Sequence, residues 1–186
     1  LSLADYEFAD LIDQQDKVRL LIDPTSSYAQ AAAMAMGRAM DDVIITAATG
    51  TAYTGETGSG TETVQTAIAA SVGTGTGLNL VKLTTAKKLL DAADVDPSIP
   101  RHIIVGPEQL QNLLAVEQVT SSDYNTVKAL VQGEIDSYLG FKFTVSNRLA
   151  KSGNDRTCIV YAEDGITLGI GKDISARIDE RADKSY

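Results

Sequence analysis

Between Pro24 and Gly50 the chain carries no proline and a single glycine, Gly37. Its apolar residues there recur at helical spacing. Tyr28, Ala32, Ala35, Met36, Ala39, Met40, Val43, Ile44 and Ala47 share one side, and Gln30, Gly37, Arg38 and Asp41 share the other. Thr25 or Ser26 is placed as N-cap, because a hydroxyl there accepts a bond from an orphan amide of the first turn. Pro24 lies just outside, where its missing N–H costs nothing, and Gly50 is a natural stop. The pattern predicts a helix over about 25–48, roughly 35 Å long from its rise per residue. That is about the diameter of a small domain. Its apolar face is mostly alanine and methionine, so neighbours can approach closely. Arg38 can pair with Asp41 or Asp42 one turn on.

The 186 residues build one domain or two small lobes, with 44% hydrophobic residues available for a core. Only 5% are aromatic and none is Trp, so that core is Ala, Val, Ile and Leu. The formal charge is −9 with no cluster of Lys and Arg, which excludes a binder that neutralises nucleic-acid phosphates. The one cysteine, Cys158, excludes an internal disulfide framework and a cysteine-based zinc site. It sits in the apolar run Cys158–Tyr161 and reads as a buried small hydrophobe. No stretch reaches the roughly 20 apolar residues of a membrane span, and no signal peptide is visible. Because residue 1 is leucine rather than methionine, the chain is expected to be part of a longer protein.

Residues 3–21 show a moderate helical pattern with an acidic face. Composition then changes from Thr49 to Gly77, which holds seven of the fifteen glycines and many threonines. Such a segment loses much backbone entropy on ordering. It reads as a loop with a strand or two, an extended hairpin, with Thr63–Ala69 a candidate strand. Thr84 or Thr85 is expected to cap a helix from Ala86 to Ala93, ended by Asp96-Pro97. His102–Gly106 is a short apolar run between two prolines and predicts a buried strand. Pro107 opens a helix through Leu110, Leu113 and Leu114. Thr120–Asp123 is a turn or cap, and Tyr124–Leu139 is mixed. Phe141–Ser146 alternates and predicts a half-buried strand. Gly153–Asp155 is a turn and Thr157–Ala162 a strand. Glu163–Gly165 is expected to be a hairpin turn into a strand at Ile166–Ile170, with a further alternating run at Ile174–Ile178. Helices first, a mixed middle and antiparallel strands last make the class α+β.

Catalytic and ligand motifs do not assemble. Gly55, Gly58 and Gly60, like Gly73, Gly75 and Gly77, miss the dinucleotide spacing and its strand–helix context, and no P-loop exists. Asp91, Asp94 and Asp96 lack the glycine and terminal glutamate of a calcium loop and read as a solvated helix end. His102 is the sole histidine and adjoins an apolar strand, which favours a packed or surface role over a catalytic base. Asp41 and Asp42 point about 100° apart on a helix and make no carboxylate pair. Arg101 and Arg148 each flank a strand and can meet carboxylates of neighbouring subunits, or be ordinary surface charges.

One stretch carries a resemblance. Arg101–Leu110, Leu113-Leu114, Val119–Asn125, Leu130–Gly133, Leu139–Phe143 and Ser146–Leu149, with Asp23-Pro24, Ser26, Tyr28 and Gly37-Arg38 followed by Asp41 upstream, resemble a major capsid protein family of tailed bacteriophages and prophages. The resemblance runs from about Asp16 to Gly171 and rests on order and spacing rather than on any single motif. It implies the tailed-phage capsid fold: a long spine helix, a peripheral lobe with a long antiparallel sheet, and an axial lobe with a small sheet flanked by helices. On that pattern 1–83 is the first part of the peripheral lobe, with the spine at 25–48 and a flexible insert at 49–77. Residues 84–150 are the axial lobe and 151–186 the return strands. The N-terminal arm and much of the extended loop are expected before Leu1, and the insert is poorly matched.

The resemblance implies a structural subunit that self-assembles into an icosahedral shell enclosing phage double-stranded DNA. It implies no catalytic residue, cofactor or metal. Its partners are copies of itself in pentamers and hexamers, with scaffolding and portal proteins besides, and DNA enclosed without sequence-specific binding. It involves no membrane, and the protein belongs in the virion after assembly in the bacterial cytoplasm. Arg38, Asp41, Arg101 and Arg148 are the candidate subunit-interface residues. The alternatives are an encapsulating shell compartment, a tail component, or a hydrolase with an ungrouped site.

Overall fold

The computed structural model describes residues 4–7, 9, 25–62, 66–73, 75, 77–115, 137–172 and 175. By packing, the chain divides into two compact units, one of Leu1–Ile44 with Leu168–Tyr186 and one of Ile45–Thr167.

Helix α1 spans Thr25–Thr49, 25 residues, as the periodicity predicts. Its predicted apolar residues Ala32, Ala35, Met36, Ala39, Met40, Val43 and Ile44 are half-buried, while Gln30, Arg38 and Asp41 are exposed. Tyr28 and Ala47 lie exposed, outside the expected face. The Thr49 hydroxyl donates back to the carbonyl of Ile45 at 3.0 Å, closing the last turn.

The larger unit opens with a hairpin. β1 (Ala52–Thr54) pairs antiparallel with β2 (Gly60–Glu62), Tyr53 opposite Thr61. This glycine- and threonine-rich stretch thus forms a hairpin, as its composition predicts. The candidate strand Thr63–Ala69 does not form at 66–69, and 63–65 lie outside the described residues. Ile68 instead packs on the core.

A mixed sheet follows. β3 (Arg101–Val105) is its centre. β5 (Phe141–Val145) runs parallel to it, Arg101 opposite Phe141 and Val105 opposite Val145. β8 (Ile159–Ala162) runs antiparallel on the other side, Ile103 opposite Val160. β4 (Ser137–Tyr138) completes the order β4-β5-β3-β8. Antiparallel strands are expected at the end of the chain; β8 is antiparallel to β3, whereas β5 runs parallel to it. The chain leaves β3 through α3 (Pro107–Leu114), and the connection from β3 to β5, residues 106–140, exceeds the dozen or so residues that a parallel pair needs. β6 (Lys151–Ser152) and β7 (Asp155–Arg156) form a small hairpin around the predicted turn.

From Ile103 to Val105 β3 is apolar, because side chains pack on both faces of the sheet there. Ile103 and Val105 face Phe141, Leu83 and Ala86 of α2 (Leu80–Ala92) and Leu113 of α3, all of them buried. Ile104 lies on the opposite face, against Ile45, Leu149 and Ile159. Ile45 and Ala48 bring the end of α1 into that second cluster. Each such side chain contributes about 1.5–3 kcal/mol when fully buried.

Three expectations fail for local reasons. α2 starts at Leu80, not at Ala86, because Asn79 supplies the cap and its side chain accepts from Lys82 N at 2.9 Å. Thr84 and Thr85 sit inside, and their hydroxyls donate back to Val81 O at 3.0 and 2.7 Å. Glu163–Gly165 is a 3-10 turn rather than a hairpin turn, and 166–170 form no strand. Glu163 N donates to Pro100 O at 3.0 Å, which extends the β8–β3 pairing past the end of β8. Beyond it no described strand is aligned to receive Ile166–Ile170, and alternation without a partner makes no ladder. The expected helix in 3–21 lies outside the described residues apart from 4–7 and 9, which are irregular. Thr120–Asp123, most of Tyr124–Leu139 and the run Ile174–Ile178 other than Ser175 also lie outside them.

Candidate functional site

A concentration of charge lies where α2 ends and β3 begins. The helix stops in a Schellman arrangement. Val95 N donates to Leu90 O at 3.2 Å and Asp94 N to Asp91 O at 3.3 Å. Asp94 takes the left-handed conformation this needs, with φ 55°. Next, Asp96-Pro97-Ser98-Ile99 forms a turn with Pro at its second position and Ile99 N bonded to Asp96 O at 3.1 Å. The Asp96 carboxylate also accepts from Ser98 N at 2.8 Å. That backbone bond, with a smaller one from the Ser98 hydroxyl, holds the Asp96 carboxyl below the usual carboxylate range.

Arg101 turns into this corner. Its side chain is only 7% exposed, with Nη2 2.6 Å from Asp91 Oδ1 and 3.2 Å from Val95 O. Its Nε has no hydrogen-bond partner among the described residues. A cleft of about 510 Å³ opens beside the pair, lined by Lys87, the three aspartates, Arg101 and the Leu139-Gly140 turn among others. Leu139 and Gly140 both have positive φ, 53° and 84°, as a two-residue turn between β4 and β5 requires. The acidic triplet is therefore a helix end, as read from sequence, stitched to β3 by a buried arginine.

The remaining candidates are structural in their surroundings. His102 stacks on Tyr161, its cross-strand partner, with ring centroids 5.4 Å apart and planes 20° from parallel. Burial pushes the Cys158 thiol up, against smaller opposing effects from Gly106 N–H, Arg156 and Lys82. It packs on the main core. Gly73, with φ 81°, lets the chain pass close to Asn79, where a Cβ would come within 2.7 Å of Nδ2. Asn79 Nδ2 donates to Val72 O at 3.1 Å, so the second glycine cluster is a loop tied to the cap of α2. Among the described residues no group of His, Cys, Asp and Glu could hold a metal ion. No described helix is long and apolar enough to cross a membrane.

Of the sequence-derived interface candidates, Arg38 and Asp41 are exposed on α1, three residues apart. Arg148 is exposed after β5, its N–H donating to the Ser146 hydroxyl at 3.2 Å. Arg101 is buried and its charge is matched inside the chain. Sequence reasoning missed the Asp91–Arg101 pair, whose ten-residue separation crosses a turn and matches no local period. It also missed the Asn79 cap, for which Asn before an apolar-periodic run was the available signal.

Among the described residues the geometry offers exposed charge and packed apolar layers. A family described as phage capsid protein matches residues 1–186, the whole chain. The chain belongs to the phage capsid protein family. No curated protein and no solved structure matches it. A phage capsid protein is a structural, non-enzymatic component of the virion, and membership implies self-association into a shell. The mixed helix and sheet content agrees with that family, and the surfaces to explain are those that meet other copies.

Proposed function

We propose that this chain is the major structural subunit of an icosahedral shell that encloses phage double-stranded DNA, arranged as pentamers and hexamers. The observation that carries the reading is the family match over the whole chain. Exposed Met34 on α1, Tyr53 on the hairpin and Val145 on β5 support it, since broad contacts between copies need apolar anchors. In this reading α1 is the spine. Residues 1–83 begin the peripheral lobe, 84–150 form the axial lobe around β3 and β5, and 151–186 return to the periphery. Arg38, Asp41 and Arg148 lie at contacts between subunits, and Arg101 braces the axial lobe from within. Scaffolding and portal proteins are the further partners, with assembly in the host cytoplasm.

The net charge of −9 supports a second element. An acidic inner wall repels the packaged DNA and keeps it from adhering. A strongly basic lumenal face in the assembled shell overturns that element.

The test is expression of the full-length protein, size-exclusion chromatography and negative-stain electron microscopy. Closed shells, or rings of five and six, are the expected result. A protein that stays monomeric at high concentration overturns the reading.

A further inference from the structure

We propose that α1 forms a twofold contact. The helix crosses the same helix of a second copy at the turn Arg38–Asp41, each Arg38 pairing with the Asp41 of the other chain. The proposal rests on the shell reading above and gives one of its contacts a geometry.

The argument starts from exposure. No side chain described between Ser27 and Ile44 is buried. Ser27, Gln30, Ala31, Met34, Arg38 and Asp41 are all exposed and recur every three or four residues, so they form one stripe along the helix. Met34 leaves 65% of its surface in water at the middle of that stripe. A helix gains most of its stability from packing an apolar face, and this stripe lies outside the half-buried face of α1 and is open to a second chain.

The charges select the partner. Arg38 and Asp41 have opposite sign and sit one turn apart, and neither has an ion-pair partner among the described residues. A twofold axis between them reverses the direction of the second helix and sets Arg38 opposite Asp41 twice. The pattern is thus complementary to itself, as an isologous interface requires. A parallel partner would set arginine against arginine.

Packing restricts the crossing. The stripe continues to Ile45, which is only 8% exposed because Leu149 and Ile159 cover it. The helices therefore cross at the 38–41 turn instead of lying side by side along their length. Gly37, beside that turn, keeps the crossing low. A Cβ added at Gly37 would find nothing within 4 Å, so that side of the turn is open to an incoming helix. Helix axes at such contacts approach to about 8–10 Å. One exposed ion pair is weak by itself. Here it occurs twice per contact and is repeated over a shell, and its reversal juxtaposes like charges, which costs more than the pair contributes.

The experiment uses the full chain in four forms: wild type, Arg38→Asp, Asp41→Arg, and the exchanged double variant with both. Circular dichroism first establishes that helix content is unchanged. Assembly is then followed by light scattering and electron microscopy against protein concentration. Each single reversal is expected to raise the concentration needed for assembly about tenfold or more. The double exchange is expected to restore it, and so is an equimolar mixture of the two single variants, because their charges complement only across chains. An ion pair confined to one helix predicts no rescue by mixing, and that result overturns the contact. If wild type and every variant form the same shells at the same concentration, the shell reading stands and this contact falls. If wild type itself remains monomeric, the shell reading falls and the contact with it.

Discussion

Nη2 of Arg101 lies 2.6 Å from the Asp91 carboxylate, so the first residue of the central strand is bonded to the last full turn of the helix that precedes it. A cation there also faces the negative end of the helix dipole. The two partners are not equivalent, since Arg101 is 7% exposed and Asp91 48%. Asp91→Ala strands a buried guanidinium and is expected to cost about 1–3 kcal/mol in equilibrium urea unfolding. Arg101→Met keeps the buried stem and leaves a carboxylate that water can solvate, so it is expected to cost less. The opposite ranking would show that the pair itself, and not the avoidance of a bare buried charge, stabilises the corner.

Asp94 sits at the helix-terminating position with φ 55°, where a side chain is strained and glycine is not. Asp94→Gly is expected to stabilise the protein by about 0.5–1 kcal/mol. Lys88→Gly, an exposed change inside the same helix, is expected to cost about 1 kcal/mol. Thermal melts of the two variants should therefore move in opposite directions.

The Asp96 carboxyl titrates below its ordinary 3.8 because the folded chain holds its anion through Ser98 N–H. A carboxylate depressed on folding contributes stability that is fully present above the unfolded value. That contribution is lost as pH falls through the folded one. Asp96→Asn is thus expected to be less stable than wild type at pH 6, with the gap narrowing as pH falls below about 4. Urea midpoints of both proteins from pH 6 to pH 2.5 measure it. A gap that widens on acidification contradicts the assignment.

Cys158 packs on the main core and its thiol is raised by burial, so little thiolate exists near neutral pH. Reaction of the native protein with an aromatic disulfide reagent is expected to be at least about tenfold slower than that of the urea-unfolded chain at pH 8. Fast, stoichiometric labelling of the folded protein would show an accessible thiol instead.

What could be read beforehand was local. The 25-residue helix α1 follows from an uninterrupted period of apolar residues between Pro24 and Gly50. β3 and α3 follow from an apolar run and a proline that meets the first position of a helix. Asp91, Asp94 and Asp96 were legible as a helix end because they lack the glycine and terminal glutamate of a calcium loop. Ile166–Ile170 shows the limit of the same reasoning. It has strand composition and forms none, since alternation states which face would be buried and not whether a neighbour exists.

The sequence by itself determined the class of this protein, its principal helix, its central strand and its membership of the phage capsid protein family. Each depends on residue order along the chain, through period, caps and motif spacing. Tertiary structure alone decided that β5 runs parallel to β3, that Arg101 turns inward to Asp91, and that Ile45 is covered while Met34, Arg38 and Asp41 are not. Those outcomes depend on which surfaces meet across many residues. Burial there is set by the packing of whole layers, which no local pattern encodes.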